Sequence, residues 1–482
     1  MSLNYGNSTI SIKNSIPVIN WALFNSRANT DSATASEPAV GQCLFARYYS
    51  SLNAGTPSFL LIPSRFKSGK LYAQIPTNGS GDLNVTRSLD TATRVNSSGL
   101  VASVASGIPR LDYFASGGTI GCPALLVEPS GTNFARGVEL LNTPNIATAS
   151  GGITITTGST DFLAPDGSSG TITKYVGGTA SGSNFVEYAA STSVSASGVH
   201  TFSAFVKTGA TNPLTFCALQ FTAYTAASGT GTSYFNLASG TALTSGASIQ
   251  DYGNGWYRII SPPYTIAADL VGSIRLVFAE GNNDASWPAS GALNLTLYAW
   301  GIQLEAGSVA TSYIPTTTGS VTRNADVVTV SGAVSGFIGQ TEGTIYAEIN
   351  IQKLLGTTQR AIVDIGQSGN RLFLGYGNGL TNQIRFLLQT SGGGLVDFQS
   401  AATTTGTIRV AVGYKDSDSA MYVNGVNVTP TSNGSFTGTL TTLSNIYIGS
   451  SLDGLDFLND KINKISLFST RLTNTALQNM TI

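Results

Sequence analysis

Hydrophobic and polar residues alternate over short stretches along most of the chain. In the segment HTFSAFVK, Phe202, Ala204 and Val206 fall on one face of an extended strand, with Ser203 and Phe205 on the opposite face. A repeat of two residues is typical of β-strands, whereas a helix repeats every 3.6 residues. Helical periodicity is almost absent, and the only candidate is the short C-terminal stretch TNTALQNMTI. The pattern predicts an all-β protein.

The middle of the chain, residues 138–312, contains a series of short strands separated by turn residues. The predicted strands are GITITTG, VEYAAS, HTFSAFVKTG, LTFCALQFTAY, GWYRIIS, GSIRLVFAE and LNLTLYAWGIQLE. This number and spacing of strands favour a β-sandwich. The chain then continues as AGSVATSYIPTTT, and Pro315 disfavours a helix at Ile314. Residues 313–330 are therefore predicted to be an extended linker.

The last third of the chain, residues 331–482, repeats the same kind of pattern. The predicted strands are GTIYAEINI, QRAIVDIG, RLFLGYG, QIRFLLQT, TIRVAVGYK, SAMYVNGVNVT, SNIYIGSS and INKISLFS. Within YVNGVNV, Asn424 and Gly425 can occupy the two positive-φ positions of a type I′ turn, which predicts a β-hairpin. This region is predicted to be a second sandwich of the jelly-roll type.

The first 111 residues are also predicted to be rich in strands. The candidates are STISIKN, QCLFARYYS, SFLLIPSRF and KLYAQIP. Residues 112–137 include GCPALLVEPSGTN, and an apolar run between prolines favours an edge strand or a strap, so this segment is predicted to be an extended connector. The fold prediction is tandem β-sandwich or jelly-roll domains in an elongated chain, with an N-terminal β-rich anchoring region.

The composition agrees with this fold and excludes several classes of partner. Charged residues make up only 10% of the 482 residues, while 55 glycines suit tight turns between strands. The 21 Phe and 19 Tyr provide enough apolar surface for a core, which argues against disorder. The net charge is −1 and the basic residues are scattered, so neither nucleic acid nor a membrane surface is an expected partner. No apolar run is long enough to insert into a bilayer.

Three cysteines, Cys43, Cys122 and Cys217, lie far apart in the sequence. Their odd number excludes a fully paired set, and we predict isolated, buried thiols. The beginning MSLNYGNSTISIKN has no basic stretch followed by an apolar one, so no signal peptide is expected. We therefore expect synthesis in a cytoplasm, although the polar composition suits an exposed surface.

Three groups of segments resemble known families. SAMYVNGVNV, SNIYIGSSLDG and INKISLFSTRLTNTAL, within about residues 410–478, resemble laminin-G or concanavalin-A-like jelly rolls. DYGNGWYRII and LYAWGIQLEAGSVATSYIPTTTGSVTRNAD resemble the carbohydrate-binding-module-like sandwich of bacteriophage tail and head appendage proteins. ATRVNSSGLV, IPRLDY and CPALLVEPSGTN resemble the connecting segment that precedes such modules in phage fibres.

The resemblance implies a structural protein on the exposed surface of a bacteriophage virion, made in the host cytoplasm. A head fibre, a tail fibre and a capsid decoration protein all agree with it. The implied partners are other capsid or tail proteins, host cell-surface glycans and further copies of the chain, most simply in a homotrimer. Packed copies would cover exposed edge strands. Since no coiled-coil heptads are present, the contacts would have to come from β-domains, and a dimer stays open.

The ionisable residues do not point to an enzyme. The single histidine, His200, begins a strand and has no nucleophile motif beside it, so a packing role is expected. Glu128 and Glu305 lie beside turns, where a turn-stabilising hydrogen bond is the simpler interpretation. No catalytic residue is predicted. The alternatives are a capsule-degrading tailspike, which needs two carboxylates roughly 5–9.5 Å apart, and a bacterial surface adhesin.

Two features are candidates for ligand binding. Asp453, Asp456, Asn459 and Asp460 lie in one loop, SSLDGLDFLND, and an oxygen-rich loop suits calcium, although the spacing is not that of an EF-hand. Trp287 lies in the polar stretch NNDASWPAS, and an exposed indole ring there could stack on a sugar. Calcium is the one cofactor considered, and solvated turns without a ligand are the alternative interpretation.

Overall fold

The structure, a computed structural model, divides the chain into two compact units. The central unit is Thr86–Asp326, and the terminal unit combines Met1–Val85 with Val327–Ile482. The residues described are 2–5, 8–11, 35–36, 55–115, 122–135, 146–178, 182–194, 197–224, 226–228, 231–267, 271–287, 294–317, 319–331, 334, 336–367, 369–391, 395–434, 436, 440 and 443–482. The predicted strand QCLFARYYS lies outside them.

Strands make up nearly all of the regular structure. The first strands are β1 (Ser2–Tyr5), β2 (Ser8–Ser11), β3 (Ala35–Ser36), β4 (Phe59–Leu61), β5 (Arg65–Lys67), β6 (Lys70–Leu71) and β7 (Leu83–Thr86). The next are β8 (Ala92–Val95), β9 (Val101–Val104), β10 (Leu111–Asp112), β11 (Ala124–Val127), β12 (Gly131–Asn133), β13 (Ile146–Ala149), β14 (Thr154–Ser159), β15 (Ile172–Val176), β16 (Gly182–Ser183), β17 (Phe185–Ser193), β18 (Gly198–Thr208), β19 (Phe216–Thr222), β20 (Ala226–Ser228), β21 (Thr232–Asn236), β22 (Thr241–Ala242), β23 (Ser248–Asp251), β24 (Tyr257–Ile260), β25 (Tyr264–Ile266), β26 (Val271–Ala279), β27 (Ser286–Trp287), β28 (Thr296–Ala306) and β29 (Val321–Arg323).

The last part of the chain adds further strands and a helix. They are β30 (Val327–Ser331), β31 (Glu342–Ile351), β32 (Arg360–Gln367), β33 (Asn370–Tyr376), β34 (Gln383–Gln389), β35 (Leu395–Ala402), β36 (Gly406–Lys415), β37 (Ala420–Val423), β38 (Val426–Val428), β39 (Pro430–Asn433), β40 (Asn445–Ile448), β41 (Asp460–Phe468) and α1 (Asn474–Thr481). The prediction of an all-β protein is confirmed. The stretch TNTALQNMTI does form a helix, because the Thr473 hydroxyl caps it by accepting from the Ala476 amide.

The core of the central unit lies between two sheets. One sheet has the order β14-β15-β28-β18-β24-β23, and the other has the order β13-β17-β26-β19-β21-β22. Phe202, Ala204 and Val206 of β18 point into the core between them, as the alternating pattern predicts. Phe205 points to the other face of β18 and joins a second buried cluster that contains Trp256, Trp300 and Tyr313. Both faces of the β18–β28 sheet are therefore covered.

Strand β28 contains an irregularity that changes which side chains face the core. Ser203 pairs with Gln303 and Phe205 pairs with Trp300, so one extra residue of β28 is accommodated between them. Gly301 has a φ of +58° at this point, a left-handed conformation that glycine adopts without strain. Leu297 and Ala299 face the main core before the irregularity, and Ile302 and Leu304 face it afterwards. The bulge thus turns Gln303 and Glu305 away from the main core.

Two large sheets form most of the terminal unit, beside the small sheet β1–β2. One contains the order β4-β41-β31-β36-β37-β38, and the other has the order β3-β5-β6-β7-β30-β40-β32-β33-β34-β35-β39. Every residue of β41 is buried. Helix α1 covers one face of the first sheet, where Leu477 and Met480 pack with Tyr346 and Tyr422. The jelly-roll-like architecture predicted for the last third of the chain is confirmed.

The unit boundaries differ from those that the sequence predicted. Residues 1–111 were expected to form a separate N-terminal region, yet Phe59–Leu61 pair with β41 through Phe59↔Leu467 and Leu61↔Ile465. This short apolar strand is completely buried. Leu60 also forms an isolated bridge with Ile75, but the three-residue ladder of this strand is with β41. The C-terminal domain is therefore completed by residues from the beginning of the chain.

The predicted linker, residues 313–330, is not free of the units either. Tyr313, Ile314 and Arg323 are buried in the central unit. Strand β29 pairs with β12 through Thr132↔Thr322, so this segment is held by backbone hydrogen bonds. The apolar side chains gain by burial, and this outweighs the tendency of the Thr-rich sequence to stay extended in solvent.

The cysteines follow the prediction only in part. Cys217 is free and completely buried in the core of the central unit, as predicted. Cys122 is disulfide-bonded, so the prediction of an isolated thiol was wrong there. Separation along the sequence does not limit which cysteines meet in a folded chain. Among the described residues, no helix has the length and apolar character needed to cross a membrane.

Candidate functional site

A surface cavity of about 440 Å³ lies on the terminal unit. It is bounded by the end of β35, by the threonine-rich loop that leads into β36, and by the β37–β38 hairpin. Residues 399–405, 407–408, 423–424 and 426–429 line it. This volume is within the usual range of ligand pockets, roughly 300–1,000 Å³. We call it the threonine cavity.

Local hydrogen bonds fix the walls of the threonine cavity. The Thr403 amide donates to the Asn382 carbonyl at 2.8 Å, and the Thr403 hydroxyl donates to the same oxygen at 2.9 Å. On the other wall, Asn424 and Gly425 have φ values of +47° and +79°, which confirms the predicted type I′ hairpin. The Asn424 side-chain oxygen accepts from the Arg409 amide at 2.8 Å. The cavity is therefore formed before any ligand binds.

The cavity has an apolar floor and a polar rim. Ile408, Val423 and Val428 are buried in the floor. Exposed side chains with hydroxyl or amide groups form much of the rim, and they include Thr404, Thr405, Thr407 and Asn427. Within the described part of the chain, the structure gives these rim groups no intramolecular hydrogen-bond partner. They are free to bind a polar ligand.

The cavity is electrically neutral. None of the described residues that line it is charged or aromatic. Two of the neighbouring charges are compensated, since Arg409 pairs with Glu348 at 3.1 Å and Arg385 pairs with Asp397 at 2.8 Å. Chemically, the cavity offers donors, acceptors and aliphatic surface to an uncharged polar molecule. It contains no acid–base pair for catalysis.

Three of the four residues of the predicted calcium loop accept hydrogen bonds in different local contacts. Asp453 accepts from the Leu455 amide at 3.2 Å and from the Ser451 hydroxyl. Asp456 accepts from the Gln359 side-chain amide at 2.5 Å. Among the described residues, no group of three or more His, Cys, Asp or Glu side chains is arranged to hold a metal ion. The calcium site stays a prediction.

Asn459 and Asp460, the other two, are buried at the end of the loop. Asp460 accepts from the amides of Gln352 and Lys353 at 2.7 and 3.1 Å. Burial raises the pKa of Asp460 to about 6, although nearby Lys353 and the two amides lower it. Asn459 has a φ of +54° and its side-chain oxygen is buried without a partner in the described structure.

Buried Arg360 lies between this loop and the threonine cavity. Its guanidinium lies 4.0 Å from the centroid of the Tyr376 ring and donates to the Lys353 carbonyl at 3.1 Å. Burial lowers the pKa of Arg360, while Tyr376 and Asp460 oppose that change. The Tyr376 hydroxyl is 3.2 Å from the hydroxyl of Thr403, which lines the cavity. These contacts support the wall of the cavity from below.

Trp287 and His200 both belong to the central unit. Trp287 is in β27, which pairs with β16 through Gly182↔Trp287, and its role in glycan binding stays a prediction. His200 is buried in β18, with Nδ1 3.0 Å from the Gly198 carbonyl. Burial lowers the pKa of His200, against the effect of that hydrogen bond. Its position agrees with the packing role expected from the sequence.

Glu128 and Glu305 take part in a buried polar network rather than in a cleft. Glu128 accepts from Arg110 at 2.8 Å and from the Ser312 amide at 2.9 Å. Glu305 accepts from the Thr311 amide at 2.9 Å, and Gln303 accepts from the Ile314 amide at 2.7 Å. The segment that follows β28 thus folds back on the end of its own strand. The expected turn-stabilising role agrees with the geometry of Glu305, whereas Glu128 belongs to a buried ion cluster with Arg110 and Arg323.

The sequence reasoning did not single out the residues of the threonine cavity. The run ATTTGT at residues 402–407 is a visible signal, because several adjacent threonines lie just before the predicted strand TIRVAVGYK. Its partner across the cavity is the Asn424–Gly425 hairpin, which the sequence did predict. Only the folded sheet brings the two together.

Comparisons with solved structures find a likeness over about a third of the chain. Two structures of Ruminococcus gnavus IT-sialidase CBM40, one bound to alpha2,3 sialyllactose, are 15% identical with a TM-score of 0.25. They cover 30% of this chain and 84% of theirs. The binding domain of botulinum neurotoxin DC in complex with rat synaptotagmin II is 14% identical with a TM-score of 0.27, covering 32% of this chain and 39% of that one. No curated protein matches the chain.

A family match covers about the last third of the chain. Residues 315–478 match the Concanavalin A-like lectin/glucanases superfamily, of the laminin-G type. The matched region contains β31–β41, and the whole of the threonine cavity lies within it. The likeness predicted for residues 410–478 is therefore confirmed and extends further towards the N-terminus. Residues 315–478 are thus similar to laminin-G/concanavalin-A-like lectin domains.

Proposed function

We propose that this protein is a structural appendage of a bacteriophage virion that attaches to host-surface glycans through its β-sandwiches. It acts by binding and display rather than by catalysis. One observation carries the glycan-binding part, namely a preformed, polar cavity within a domain that matches a lectin family. The virion part is supported by the segments NGWYR and QLEAGSVATSYIPT, which resemble those of phage appendage proteins.

Glycan binding is tested with the purified full-length chain on an array of bacterial surface polysaccharides. The full chain is needed because the terminal unit includes residues from both ends of the sequence. We expect binding to a limited set of glycans, and weaker binding by a Thr407→Ala variant. An array on which the folded wild-type protein binds no polysaccharide contradicts the proposal.

The catalytic alternative, a capsule-degrading tailspike, is separated by a second measurement. The protein is incubated with every polysaccharide that it binds, and the release of reducing ends is followed. We expect none above the level of a heat-denatured control. A steady release of reducing ends would replace the binding proposal with a depolymerase.

The assembly and location are separate parts of the proposal. We propose a homotrimer on the outer surface of the particle, attached to other capsid or tail proteins. Multi-angle light scattering should give three times the mass of one chain, and immunogold labelling should decorate intact virions. A monomeric mass together with unlabelled virions would contradict the proposed assembly and location. Glycan binding would still be decided by the array.

A further inference from the structure

The geometry points to a neutral glycan as the ligand of the threonine cavity, one without carboxylate, sulfate or phosphate groups. This inference rests on the proposed function and narrows its ligand class. Three properties of the cavity carry it: the charges around it, the free hydrogen-bonding groups on its rim, and the exposed aliphatic surface beside them.

The first property is the lack of an available cation. Among the residues that the structure describes, neither a lysine nor an arginine lines the cavity. Behind its walls, the Arg409 guanidinium is held by Glu348 at 3.1 Å and by the Ile482 carbonyl at 3.3 Å. Both Arg385 Nε and Nη2 donate to Asp397, at 2.9 and 2.8 Å. A carboxylate placed here would lose water without gaining a charged partner, which is unfavourable.

The second property is the kind of polar group on the rim. Thr404, Thr405 and Thr407 carry hydroxyls that both donate and accept, and Asn427 carries an amide that does the same. Sugar hydroxyls have this same dual character. Gln399 is less available, because its amide already donates to Asp397 at 3.1 Å. The exposed rim therefore complements a hydroxyl-rich surface and not a phosphate, which only accepts at neutral pH.

The third property is an aliphatic patch on the same rim. The side chain of Val426, at the tip of the hairpin, is 66% exposed. Ala401 and Ala402 are exposed across the cavity. Sugar rings have apolar C–H faces, and deoxy and N-acetyl sugars also carry methyl groups. Dispersion contacts with these small side chains can take the place of the aromatic stacking that the cavity lacks.

The ligand class is tested by titrating the full-length protein with short oligosaccharides of matched length. The neutral probes are hexose, N-acetylhexosamine and deoxyhexose oligomers, and the acidic probes are sialyllactose and oligogalacturonate. We expect binding only among the neutral probes. Because no charges are paired, Kd should change less than twofold between about 0.05 and 0.5 M NaCl.

The location of the glycan-binding site is tested with two matched double variants. Thr404→Ala with Thr405→Ala removes two exposed hydroxyls from the rim, and we expect at least a tenfold loss of neutral-glycan affinity. Thr357→Ala with Thr358→Ala removes two exposed hydroxyls from a loop that does not line the cavity, and should leave affinity unchanged. Circular dichroism confirms that both variants fold.

The outcomes separate this inference from the proposed function. Binding restricted to acidic probes, or an affinity that falls steeply with salt, overturns the neutral class and leaves glycan binding standing. Neutral binding that survives the loss of Thr404 and Thr405 hydroxyls places the site elsewhere and also overturns the inference. Binding to no glycan of either class overturns the proposed function together with it.

Discussion

At the scale of single residues, burial decides what the charged side chains of the central unit do. Arg110 is completely buried, and it donates to Glu128 at 2.8 Å and to Asp326. Arg323 lies 3.2 Å from Glu128, and Arg87 lies 3.0 Å from Asp326. Burial lowers the pKa of Arg110, but the two carboxylates more than offset this, so its pKa is raised. Each of the two carboxylates therefore contacts at least two arginines in this buried cluster.

Removing one member of this cluster should therefore be severe. Arg110→Ala leaves two carboxylates buried with less positive charge, and we expect a loss of about 3–5 kcal/mol in the free energy of unfolding. The control is Lys174→Ala, whose partner Asp161 is 2.8 Å away in a half-exposed pair. That pair should contribute less than about 1 kcal/mol.

Urea unfolding followed by tryptophan fluorescence measures both variants. Trp256 and Trp300 are buried in the central unit and contribute to this signal. Equal losses for Arg110→Ala and Lys174→Ala would contradict the view that the cluster depends on burial.

Asp460 gives a prediction about pH. Its folded pKa of about 6 lies above the value of about 4 expected in an unfolded chain. The folded state therefore retains a proton that the unfolded chain has lost. Protonation of Asp460 therefore stabilises the folded state. This stabilisation is fully present below about pH 4 and is lost as the pH rises through about 6. Two pKa units correspond to about 3 kcal/mol.

Asp460→Asn should flatten the pH dependence of unfolding between about pH 4 and 7, because asparagine still accepts from both amides and does not ionise. Asp453→Asn is the contrasting variant. The hydrogen bond from the Ser451 hydroxyl lowers the pKa of Asp453. Its contribution to stability is lost only as the pH falls below about 4, so Asp453→Asn should leave the pH dependence of unfolding between about pH 4 and 7 unchanged. If the free energies of unfolding of the two variants depend on pH in the same way between about pH 4 and 7, this account is wrong.

At the scale of elements, the sequence predicted the positions of strands well, but it predicted less well which side chains of a strand face the core. The alternation in HTFSAFVK gave the correct faces of β18, because that strand is regular. In β28, the bulge at Gly301 shifts the alternation by one residue. Without the structure, strict alternation would place Gln303 and Glu305 on the core side with Leu297. A local backbone choice at one glycine therefore changes the role of every residue after it.

The β37–β38 hairpin allows a prediction at this scale. Gly425 has a φ of +79°, and a Cβ there would lie 3.3 Å from Ile482 Cγ1. Gly425→Ala should cost about 1–2 kcal/mol of stability, since an L-residue disfavours this conformation. It should also weaken glycan binding, because the hairpin forms one wall of the threonine cavity.

The matched control for this hairpin is Gly336→Ala in the same unit. Gly336 does not have a positive φ, and a Cβ added there would meet no other described atom within 4 Å. Thermal unfolding and glycan titration of the two variants make the comparison. Similar behaviour of both would show that the hairpin conformation is not what maintains the cavity wall.

At the scale of the whole molecule, the sequence could not reveal that one domain is built from two distant segments. The pattern of each strand is local, whereas the pairing of Phe59–Leu61 with β41 joins residues separated by about four hundred positions. The candidate site has the same limit. The loop at residues 402–407 and the hairpin at residues 423–429 can each be recognised in the sequence. That they lie close together depends on the order of strands in the folded sheets.

The discontinuous terminal unit leads to a last prediction. A fragment of residues 331–482, the domain expected from the sequence, lacks β4 and leaves the partners of Phe59, Leu60 and Leu61 on β41 uncovered. Ser58 is lost as well, and its hydroxyl donates to the Phe337 carbonyl at 2.6 Å. Burying each of these apolar side chains contributes roughly 1.5–3 kcal/mol. The fragment should therefore be less stable by several kcal/mol and prone to aggregate.

Rejoining the missing segment should reverse the defect. Residues 55–85 are fused to residues 327–482 through a flexible Gly-Ser linker, and the control carries residues 55–85 with Phe59, Leu60 and Leu61 all changed to serine. We expect a cooperative thermal transition and monodisperse behaviour from the first fusion only, because the control cannot bury β4 against the sheet. If the fragment of residues 331–482 alone melts at the same temperature as the first fusion, the N-terminal strand is dispensable to a self-sufficient domain, and the boundary predicted from the sequence is the better one.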